Sequence, residues 1–411
     1  MTAQRELDLV LMGATGYEGR LVARHLAEAA PEGVRIGLAG RSLSRLQDVR
    51  SGLGSAAASW PLVRADSRDP GALAELAGRT RAVATTVGPY LRLGMPLLAA
   101  CARAGTHYAD LTGEVLFVRE AADRHDAVAR ETGARLVHAC GFDSVPSDLS
   151  VLELHRAATE DGAGELTDTT LLVERLRGGI SGGTVDSLRQ QLRAMERDPS
   201  VRQVVRDPYA LSPDRGSDPE GRGERDSTEV FQEHLTGRWV APFVMAPFNT
   251  RIVRRSNALA GHAYGRDFRY RELASTGRGT RGYAVAQGIR LGTGAVVAGM
   301  RHPRLRGLVD RVLPAPGEGP SEQQRAAGSF RTRTLTVTTT GRRYEAVFGA
   351  DLDPGYGGTA VMLGQAALAL ALDGDRLPER AGSLTPATAI GDVLVERLRD
   401  QGFLITAGPR G

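Results

Sequence analysis

The stretch Leu7–Arg20, LDLVLMGATGYEGR, decides the fold, because an apolar run breaks into glycines and then continues as a helical pattern. Its glycines stand three residues apart, where a buried strand turns into a helix. This spacing brings backbone amides and a helix N-terminus close to a pyrophosphate, so it predicts a dinucleotide-binding turn. The alternative is a glycine-rich junction that binds nothing, and the apolar context on both sides argues against it. The candidate cofactor-binding residues here are Gly13, Ala14, Thr15, Gly16, Tyr17 and Gly19.

A second apolar run, Val34–Ala39, follows at the distance that a βαβ unit requires. It ends in Gly40, Arg41 and Ser42, so no carboxylate stands there to bind the ribose 2′-hydroxyl of NAD. A guanidinium offers a planar set of donors that suits a phosphate, and a serine hydroxyl adds another donor. Arg41 and Ser42 therefore predict binding of NADP(H) rather than NAD. In the alternative interpretation, Arg41 is a solvated residue at the start of a helix.

Apolar runs alternate with helical patterns through the first third of the chain, which is typical of a doubly wound parallel sheet. Further along, an alternating stretch at Arg333–Thr339 suggests an antiparallel sheet. We therefore predict an α/β protein with an N-terminal Rossmann domain (1–146) and a second α+β domain (147–345). A C-terminal helical segment, 346–411, is expected to pack back on the Rossmann domain. Residues 198–228 are rich in Pro, Gly, Asp and Arg, and we expect a mobile excursion or lid there.

The composition excludes several functions of this 411-residue chain. Its net charge of +4 arises from 52 basic and 48 acidic residues without a basic block, so nucleic-acid binding is not expected. The chain contains no lysine, which removes a Schiff-base nucleophile. The eight histidines show no metal-site pattern, and no metal is expected. Cys101 and Cys140 follow alanines in apolar settings, as is typical of buried, reduced thiols in a cytoplasmic protein.

The chain is also expected to be cytoplasmic because its N-terminus, MTAQRELDLV, lacks the layout of a signal peptide. Tyr283–Met300 is weakly polar, but Arg290 and several glycines interrupt it, so no transmembrane segment is predicted. We expect an amphipathic surface helix there, with peripheral lipid contact as the alternative.

Small residues follow the fourth predicted strand, Arg81–Val87, in the sequence TTVGPY. A cofactor ring or its ribose can lie against such a backbone. Tyr90 would then point toward the nicotinamide or the substrate, either as a proton donor or as a packing residue. The candidate cofactor-binding residues at this point are Val87, Gly88, Pro89 and, directly after the third predicted strand, Asp66.

Polar groups also follow the fifth and sixth predicted strands. Asp110 and Glu114 are able to act as an acid–base pair, although helix capping is the favoured alternative. Asp143 and Ser144 stand in a glycine turn just before a helix that begins with Pro146. Ser144 is also a natural N-cap of that helix. These residues show no Ser-His-Asp or Cys-His spacing that would predict a hydrolase.

Several motifs together make the chain resemble the saccharopine-dehydrogenase-like oxidoreductases, and within them the actinobacterial trans-acting enoyl reductases of lipid and polyketide assembly. The motifs run from Gly13 to about Leu398 and are GATGYEG, LAGRS, TTVGPY, HYADLTGE, CGFDSVPSDL, LPAPGEGPSEQQR, DPGYGGTAVML and LTPATAIGDVLVERL. Glu18 departs from the pattern, because relatives usually carry an uncharged residue there, and a carboxylate beside a phosphate is unfavourable unless it points outward. The resemblance implies a Rossmann domain that binds NADPH through Gly13, Gly16, Gly19 and Arg41.

The leading hypothesis is an NADPH-dependent reductase that transfers a hydride to the C=C bond of an α,β-unsaturated acyl, lipid or polyketide intermediate, presented free or on a carrier protein. The developing enolate needs hydrogen-bond donors or an acid, so Tyr90, Asp143 and Ser144 are the candidate catalytic residues. One alternative is a C=N reductase of the saccharopine dehydrogenase type, against which the absence of lysine counts. The other alternative is a non-catalytic, NADP-binding scaffold.

Overall fold

The computed structural model describes residues 5–410 except 179–181, 216–225, 303, 305–310 and 312–318. Contacts within the chain divide it into two compact units. The first unit contains Met1–Val145, Gly317–Gly319 and Gly355–Gln401, and the second contains Pro146–Pro316, Pro320–Pro354 and Gly402–Gly411. The first change of unit therefore falls between residues 145 and 146, whereas the predicted junction lay between 146 and 147.

The C-terminal part of the chain is divided between the two units, so it is not the single helical segment 346–411 that we expected. Residues 355–401 carry helices and belong to the first unit. The strands at 343–350 and 404–409 pair with each other in the second unit. Their pairing joins residues far apart in sequence, so local periodicity did not reveal it.

The first unit is built on a parallel sheet of seven described strands. The strands are β1 (Leu7–Met12), β2 (Ile36–Gly40), β3 (Leu62–Arg64), β4 (Thr80–Thr85), β5 (His107–Asp110), β6 (Arg135–Val137) and β13 (Gly382–Leu384). Their order is β13-β6-β5-β4-β1-β2-β3, and each neighbouring pair runs parallel. β1 is buried along its whole length, as expected for a strand covered on both faces. This is the predicted Rossmann arrangement, and the fold class is confirmed.

Helices follow most of these strands where the apolar periodicity predicted them. They are α1 (Tyr17–Ala29), α2 (Leu43–Ser51), α3 (Pro70–Arg79), α4 (Tyr90–Leu93), α5 (Met95–Ala104), α6 (Val115–Thr132), α13 (Thr359–Leu372), α14 (Pro386–Ala389) and α15 (Asp392–Asp400). Local signals fix their ends: the side chains of Ser42 and Asp69 cap α2 and α3 by accepting backbone amides. Gly105 and Gly133 end α5 and α6 in the left-handed conformation that glycine adopts at low cost.

Helix α13 lies inside the first unit against β1, β4 and β5. Among the described residues, Pro354–Leu372 is the one helical segment long and apolar enough to cross a membrane, and 78% of it is buried within the structure. Its Gln365 amide nitrogen lies 3.0 Å from Nε2 of His25 on α1. The carbonyl oxygen of Gln365 accepts a hydrogen bond from Arg397 of α15 at 3.1 Å. These contacts make α13 a core helix of the first unit.

The second unit contains a mixed sheet, which agrees with the predicted α+β class. Its described strands are β7 (Leu166–Arg177), β8 (Phe231–Glu233), β9 (Arg238–Pro242), β10 (Arg269–Gly277), β11 (Ser329–Thr338), β12 (Arg343–Ala350) and β14 (Leu404–Pro409). They lie in the order β14-β12-β11-β7-β10-β9-β8, in which β7 and β10 are parallel and the other pairs are antiparallel. The helices are α7 (Val145–Glu160), whose first residue belongs to the first unit, α8 (Gly182–Arg197), α9 (Pro199–Arg206), α10 (Ala246–Leu259), α11 (Gly279–Arg301) and α12 (Glu322–Ala326).

Residues 198–215, in the stretch where a mobile excursion or lid was expected, form α9 and a turn that is buried at Ala210–Ser212. Backbone carbonyls of this stretch accept hydrogen bonds from buried arginines of α10. The pairs are Arg251 with Val205 (3.3 Å), Arg254 with Pro208 (3.2 Å) and Arg255 with Leu211 (2.5 Å). The sequence suggested a loose loop because it has few large apolar residues, whereas charged donors on another element hold it. Residues 216–225 lie outside the described part of the chain.

Helix α11 covers the stretch where a surface helix was expected. Leu291 is its most exposed large apolar residue, at 63%, and Tyr283 and Val285 are also exposed. On its inner side, Met300 packs with Val185 of α8. The helix therefore lies on the surface of the second unit with apolar side chains facing outward.

Candidate cofactor and active site

The glycine turn after β1 is packed closely at Gly13, where a side chain would not fit. Gly13 has a φ of 91°, in the region that favours glycine, and a Cβ atom there would lie 2.8 Å from Thr86 Oγ1 and Val87 Cγ2. The amide of Gly16 donates to the Gly13 carbonyl at 3.0 Å. The end of β1 therefore lies directly beside the residues that follow β4.

Helix α1 approaches the same turn closely at Gly19, whose added Cβ would lie 2.1 Å from the Gly13 carbonyl oxygen. Gly16 is the N-cap of α1, and among the described residues no side chain caps this end. The N-terminal amides of a helix have no partner within the helix, so an uncapped end suits an anion. The turn and the first turn of α1 thus have the geometry needed for a cofactor pyrophosphate.

The other predicted residues of the turn differ in exposure. Ala14 is fully buried, whereas Thr15 and Tyr17 are partly exposed. The Tyr17 ring packs edge-on against Tyr356, with 4.7 Å between the ring centroids. Glu18 is partly buried rather than turned fully outward, and its charge contributes to the raised pKa of Tyr90 described below.

At the end of β2, Arg41 is exposed, and no described residue hydrogen-bonds or pairs with its guanidinium. The hydroxyl of Ser42 accepts the Arg45 amide at 3.4 Å as the cap of α2. Asp66, after β3, accepts the amide of Arg68 at 2.9 Å and shapes a turn. Arg41 is therefore a charged donor at the end of β2 that is accessible to a phosphate.

The residues after β4 keep their backbone next to the glycine turn. The amide of Thr86 donates to Met12 at 3.1 Å, and the amide of Val87 donates to Thr85 Oγ1 at 3.2 Å. Gly88 is exposed, and the Gly88–Pro89 peptide is cis. The structure thus brings the predicted segments around Gly13 and Val87 together.

Tyr90 is a packing residue in this structure. Its hydroxyl donates to the Thr85 carbonyl at 3.0 Å and accepts the Leu111 amide at 3.1 Å. Burial, followed by the charge of Asp110, raises the pKa of the phenol well above its ordinary value. With its proton committed to a backbone carbonyl, Tyr90 holds β4 against the loop after β5, and we no longer propose it as the acid.

Asp110 and Glu114 also have structural partners. The two carboxylate oxygens of Glu114 accept the amides of Tyr90 and Leu91, so Glu114 caps the start of α4. Asp110 is fully buried and lies 2.8 Å from Nδ1 of His138, which is also fully buried. The capping alternative therefore describes Glu114 better than an acid–base pair does, and the helix that its carboxylate caps is α4 rather than α6, which follows Glu114 directly in the chain.

The Asp110–His138 pair was missed by the sequence analysis. Asp110 also accepts the amide of Ala139 at 2.9 Å, and Ala139 has an unusual positive φ of 60°. Nε2 of His138 has no hydrogen-bond partner among the described residues. The residues next to His138 in the sequence do not indicate its partner, because Asp110 comes close to it only when β5 and β6 pair in the sheet.

Asp143 lies in the turn between β6 and α7. Its side chain is partly buried, and no described residue hydrogen-bonds or pairs with its carboxylate. Burial raises the pKa of this carboxyl to about 6. The neighbouring Ser144 is fully buried, so its hydroxyl is not exposed to a substrate. Of the three predicted catalytic residues, Asp143 alone presents an accessible proton-transfer group.

The second unit contains a separate buried polar cluster around Glu272 of β10. Tyr270 donates to one carboxyl oxygen of Glu272 at 2.9 Å, and Asn249 of α10 donates to the other at 2.9 Å. Burial raises the pKa of Glu272 to about 7, although hydrogen bonds from Ser147, Asn249 and Tyr270 oppose the rise. The cluster had no sequence signal, because its members come from separate elements.

Glu272 should make the stability of the protein depend on pH. Its pKa is about 7 in the folded state and 4.5 as the ordinary value, so the folded state holds the proton longer as pH rises. The free energy of unfolding should therefore fall by up to about 3 kcal/mol between pH 4.5 and 7 from this group alone. Glu272→Gln should remove that part of the pH dependence in chemical denaturation. Glu229→Gln, an exposed change in the same unit, should leave it unchanged, and identical pH curves for wild type and Glu272→Gln would contradict the assignment.

Comparison with known proteins agrees with the site geometry. Residues 9–137 match the saccharopine dehydrogenase NADP binding domain. The chain is 49% identical over 412 residues to a trans-acting enoyl reductase of Mycobacterium tuberculosis strain H37Rv, with 98% of each chain covered. It is 47% identical over 419 residues to a trans-acting enoyl reductase of Mycobacterium ulcerans, with 99% of each chain covered. The chain belongs to the trans-acting enoyl reductase family.

A solved structure supports the fold of this reductase. The apo saccharopine dehydrogenase (L-Glu forming) of Saccharomyces cerevisiae matches with a TM-score of 0.51 and 14% identity, over 98% of this chain and 99% of the other. The reductase is an NADP(H)-dependent oxidoreductase, as the family of its N-terminal domain shows. The close approach at Gly19 fits this cofactor, as do the N-terminus of α1 and the Arg41 guanidinium, neither of which has a side-chain partner in the described part of the chain.

Arg41→Ala should weaken NADPH binding by about 10- to 100-fold, because a charge-assisted hydrogen bond to the 2′-phosphate is lost. The affinity for NADH, which lacks that phosphate, should stay within about twofold. Both affinities can be measured by fluorescence titration of the reduced nicotinamide. Arg103→Ala removes an equal charge from an exposed position at the end of α5 and serves as the control. Equal losses for both cofactors would show that Arg41 does not read the phosphate.

Proposed function

We propose that the reductase uses NADPH to reduce the C=C bond of an α,β-unsaturated acyl, lipid or polyketide intermediate. The observation that carries the proposal is the identity of about half of the residues to proteins named trans-acting enoyl reductases, over nearly the full chain. The substrate is a small acyl molecule, presented free or on a carrier protein, in the cytoplasm. Cys101 and Cys140 are buried and form no disulfide within the described part of the chain, which is compatible with that compartment.

Asp143 is the residue that we assign to proton transfer. Parallel strands bring their carboxyl ends to one edge of the sheet, so the turn after β6 lies at the same edge as the glycine turn after β1. NADPH, when bound, supplies the hydride for the β-carbon. The protonated carboxyl of Asp143 then donates its proton to the enolate that this addition leaves, which completes the saturated acyl product.

The chemistry of the site also accounts for the choice of acid. A carboxyl with a pKa of about 6 is protonated in a useful fraction near neutral pH, whereas an ordinary aspartic acid is almost fully ionised. The phenol of Tyr90 is buried and donates to a backbone carbonyl, and the hydroxyl of Ser144 is buried. Asp143 therefore supports the proposed reaction better than the other two candidates.

The test is NADPH oxidation, followed at the nicotinamide absorbance, against enoyl thioesters of several chain lengths, cyclic imines and buffer alone. Oxidation with enoyl thioesters, together with a saturated acyl product detected by mass spectrometry, is the expected result. Oxidation with imines alone would replace the proposal by C=N reduction. Tight NADPH binding without oxidation of any substrate would favour a non-catalytic scaffold.

A further inference from the structure

The turn that carries Asp143 is anchored from a second element, helix α13. The hydroxyl oxygen of Thr359, the first residue of α13, accepts the backbone amide of Phe142 at 3.0 Å. Phe142 immediately precedes Asp143 in the chain. A hydrogen bond at this amide fixes the Gly141–Phe142 peptide plane, one residue before Asp143.

The same residues are also packed tightly. A Cβ atom at Gly141 would lie 3.0 Å from Thr359 Cγ2 and 2.8 Å from Leu111 Cδ2, so the turn backbone lies directly on these side chains. Thr359 itself is buried, with 8% of its surface exposed. The Asp143 turn thus lies between Leu111, after β5, and the start of α13.

Residues just before Thr359 contact the start of α1, next to the glycine turn. Pro354–Gly358 forms a short π-helix, a rare element that is frequent at functional sites. Tyr356, in its middle, packs against Tyr17 in the first turn of α1. Tyr356 and Thr359 are three residues apart, so one short segment contacts both the glycine turn and the Asp143 turn.

We propose that Thr359 is a positioning residue, which holds Asp143 in its partly buried orientation through the amide of Phe142. The inference rests on the proposed role of Asp143 in proton transfer. Thr359 does not touch the reacting atoms in this account. Without its hydroxyl, the Phe142 amide loses its acceptor, and the turn relaxes so that the Asp143 carboxyl reaches more solvent.

Thr359→Val and Thr359→Ser separate the hydroxyl from the shape of the side chain. Valine keeps the volume and the Cγ2 contact with Gly141 but cannot accept the hydrogen bond, whereas serine keeps the acceptor. We expect Thr359→Val to lower kcat by about tenfold at pH 6, because the fall of kcat with rising pH should move to lower pH. The NADPH affinity of Thr359→Val should stay within about twofold of wild type. Thr359→Ser should keep the wild-type dependence of kcat on pH.

The titration of Asp143 can also be read without turnover, from its side-chain carboxyl carbon by NMR, with Asp143→Asn used to assign the signal. Thr359→Val should move this titration toward the ordinary range of an aspartic acid, and Thr359→Ser should not. An unchanged titration in a folded Thr359→Val protein, or equal damage by serine and valine, would overturn the proposal. A shifted titration combined with full activity of Asp143→Asn would instead uphold the positioning and refute the catalytic role. If Thr359→Val does not fold, Thr359→Ala also removes the hydroxyl and is compared with Thr359→Ser in its place.

Discussion

Asp143→Asn should lower the turnover number of the reductase on enoyl substrates by about 100-fold or more, because a positioned general acid contributes at least that much. Asparagine keeps the size and polarity of the side chain but has no proton to transfer near neutral pH. Wild-type kcat should fall as pH rises through about 6, where the Asp143 carboxyl ionises and the acid is lost. That limb should be absent in Asp143→Asn.

The measurement is kcat between pH 5 and 8, together with NADPH affinity by fluorescence titration. NADPH affinity should change by no more than about twofold, since Asp143 contacts no residue of the glycine turn among the described contacts. Asp375→Asn is the matched control, because Asp375 is exposed in the same unit and has no described partner. Full activity of Asp143→Asn, or a wild-type limb that persists in it, would remove Asp143 from the mechanism.

The elements of the first unit could be predicted because each carries its own signal. β1 is wholly apolar, the glycines mark its end, and Ser42 and Asp69 start helices by capping them. The second and fourth strands, β2 and β4, therefore lie close to the predicted runs Val34–Ala39 and Arg81–Val87. The division of the C-terminal part could not be predicted, since the pairing of β12 with β14 depends on residues far apart in sequence.

In the candidate site, too, features that depend on neighbouring residues in the sequence differ from features that depend on residues brought together by the fold. The exposed position of Arg41 at the end of β2 follows from one strand and the next helix, and its binding to the cofactor phosphate stays a prediction. The role of Tyr90 depends on whether its hydroxyl meets a carbonyl or a substrate, and that is decided by Thr85 and Leu111. The pairing of Asp110 with His138 likewise requires the order of strands in the sheet.

Gly19→Ala should damage both the stability of the first unit and the binding of NADPH. The added Cβ would lie 2.1 Å from the Gly13 carbonyl oxygen and 2.9 Å from Ala14 Cα, and both are backbone atoms that cannot rotate away. Helix α1 would have to move away from the turn, at a cost of about 3 kcal/mol of unfolding free energy, as is typical of overpacking against backbone. The same movement would shift the N-terminal amides of α1 away from the pyrophosphate, and NADPH affinity should fall by more than about 100-fold.

Alanine substitutions at two other glycines serve as controls, because they distinguish a steric clash from the general effect of replacing glycine by alanine. Gly78→Ala places a methyl group where no atom lies within 4 Å, inside α3, so it should be neutral or slightly stabilising. Gly16→Ala meets only the Gly13 carbonyl, at 3.3 Å, and should fold with nearly wild-type stability while its methyl group obstructs the pyrophosphate. Thermal unfolding should show Gly19→Ala as less stable than Gly16→Ala and Gly78→Ala. NADPH titration should show both Gly19→Ala and Gly16→Ala as weaker binders than Gly78→Ala. Wild-type NADPH affinity and stability in Gly19→Ala would mean that α1 does not approach the turn as the structure shows. The N-terminus of α1 would then not be the pyrophosphate site.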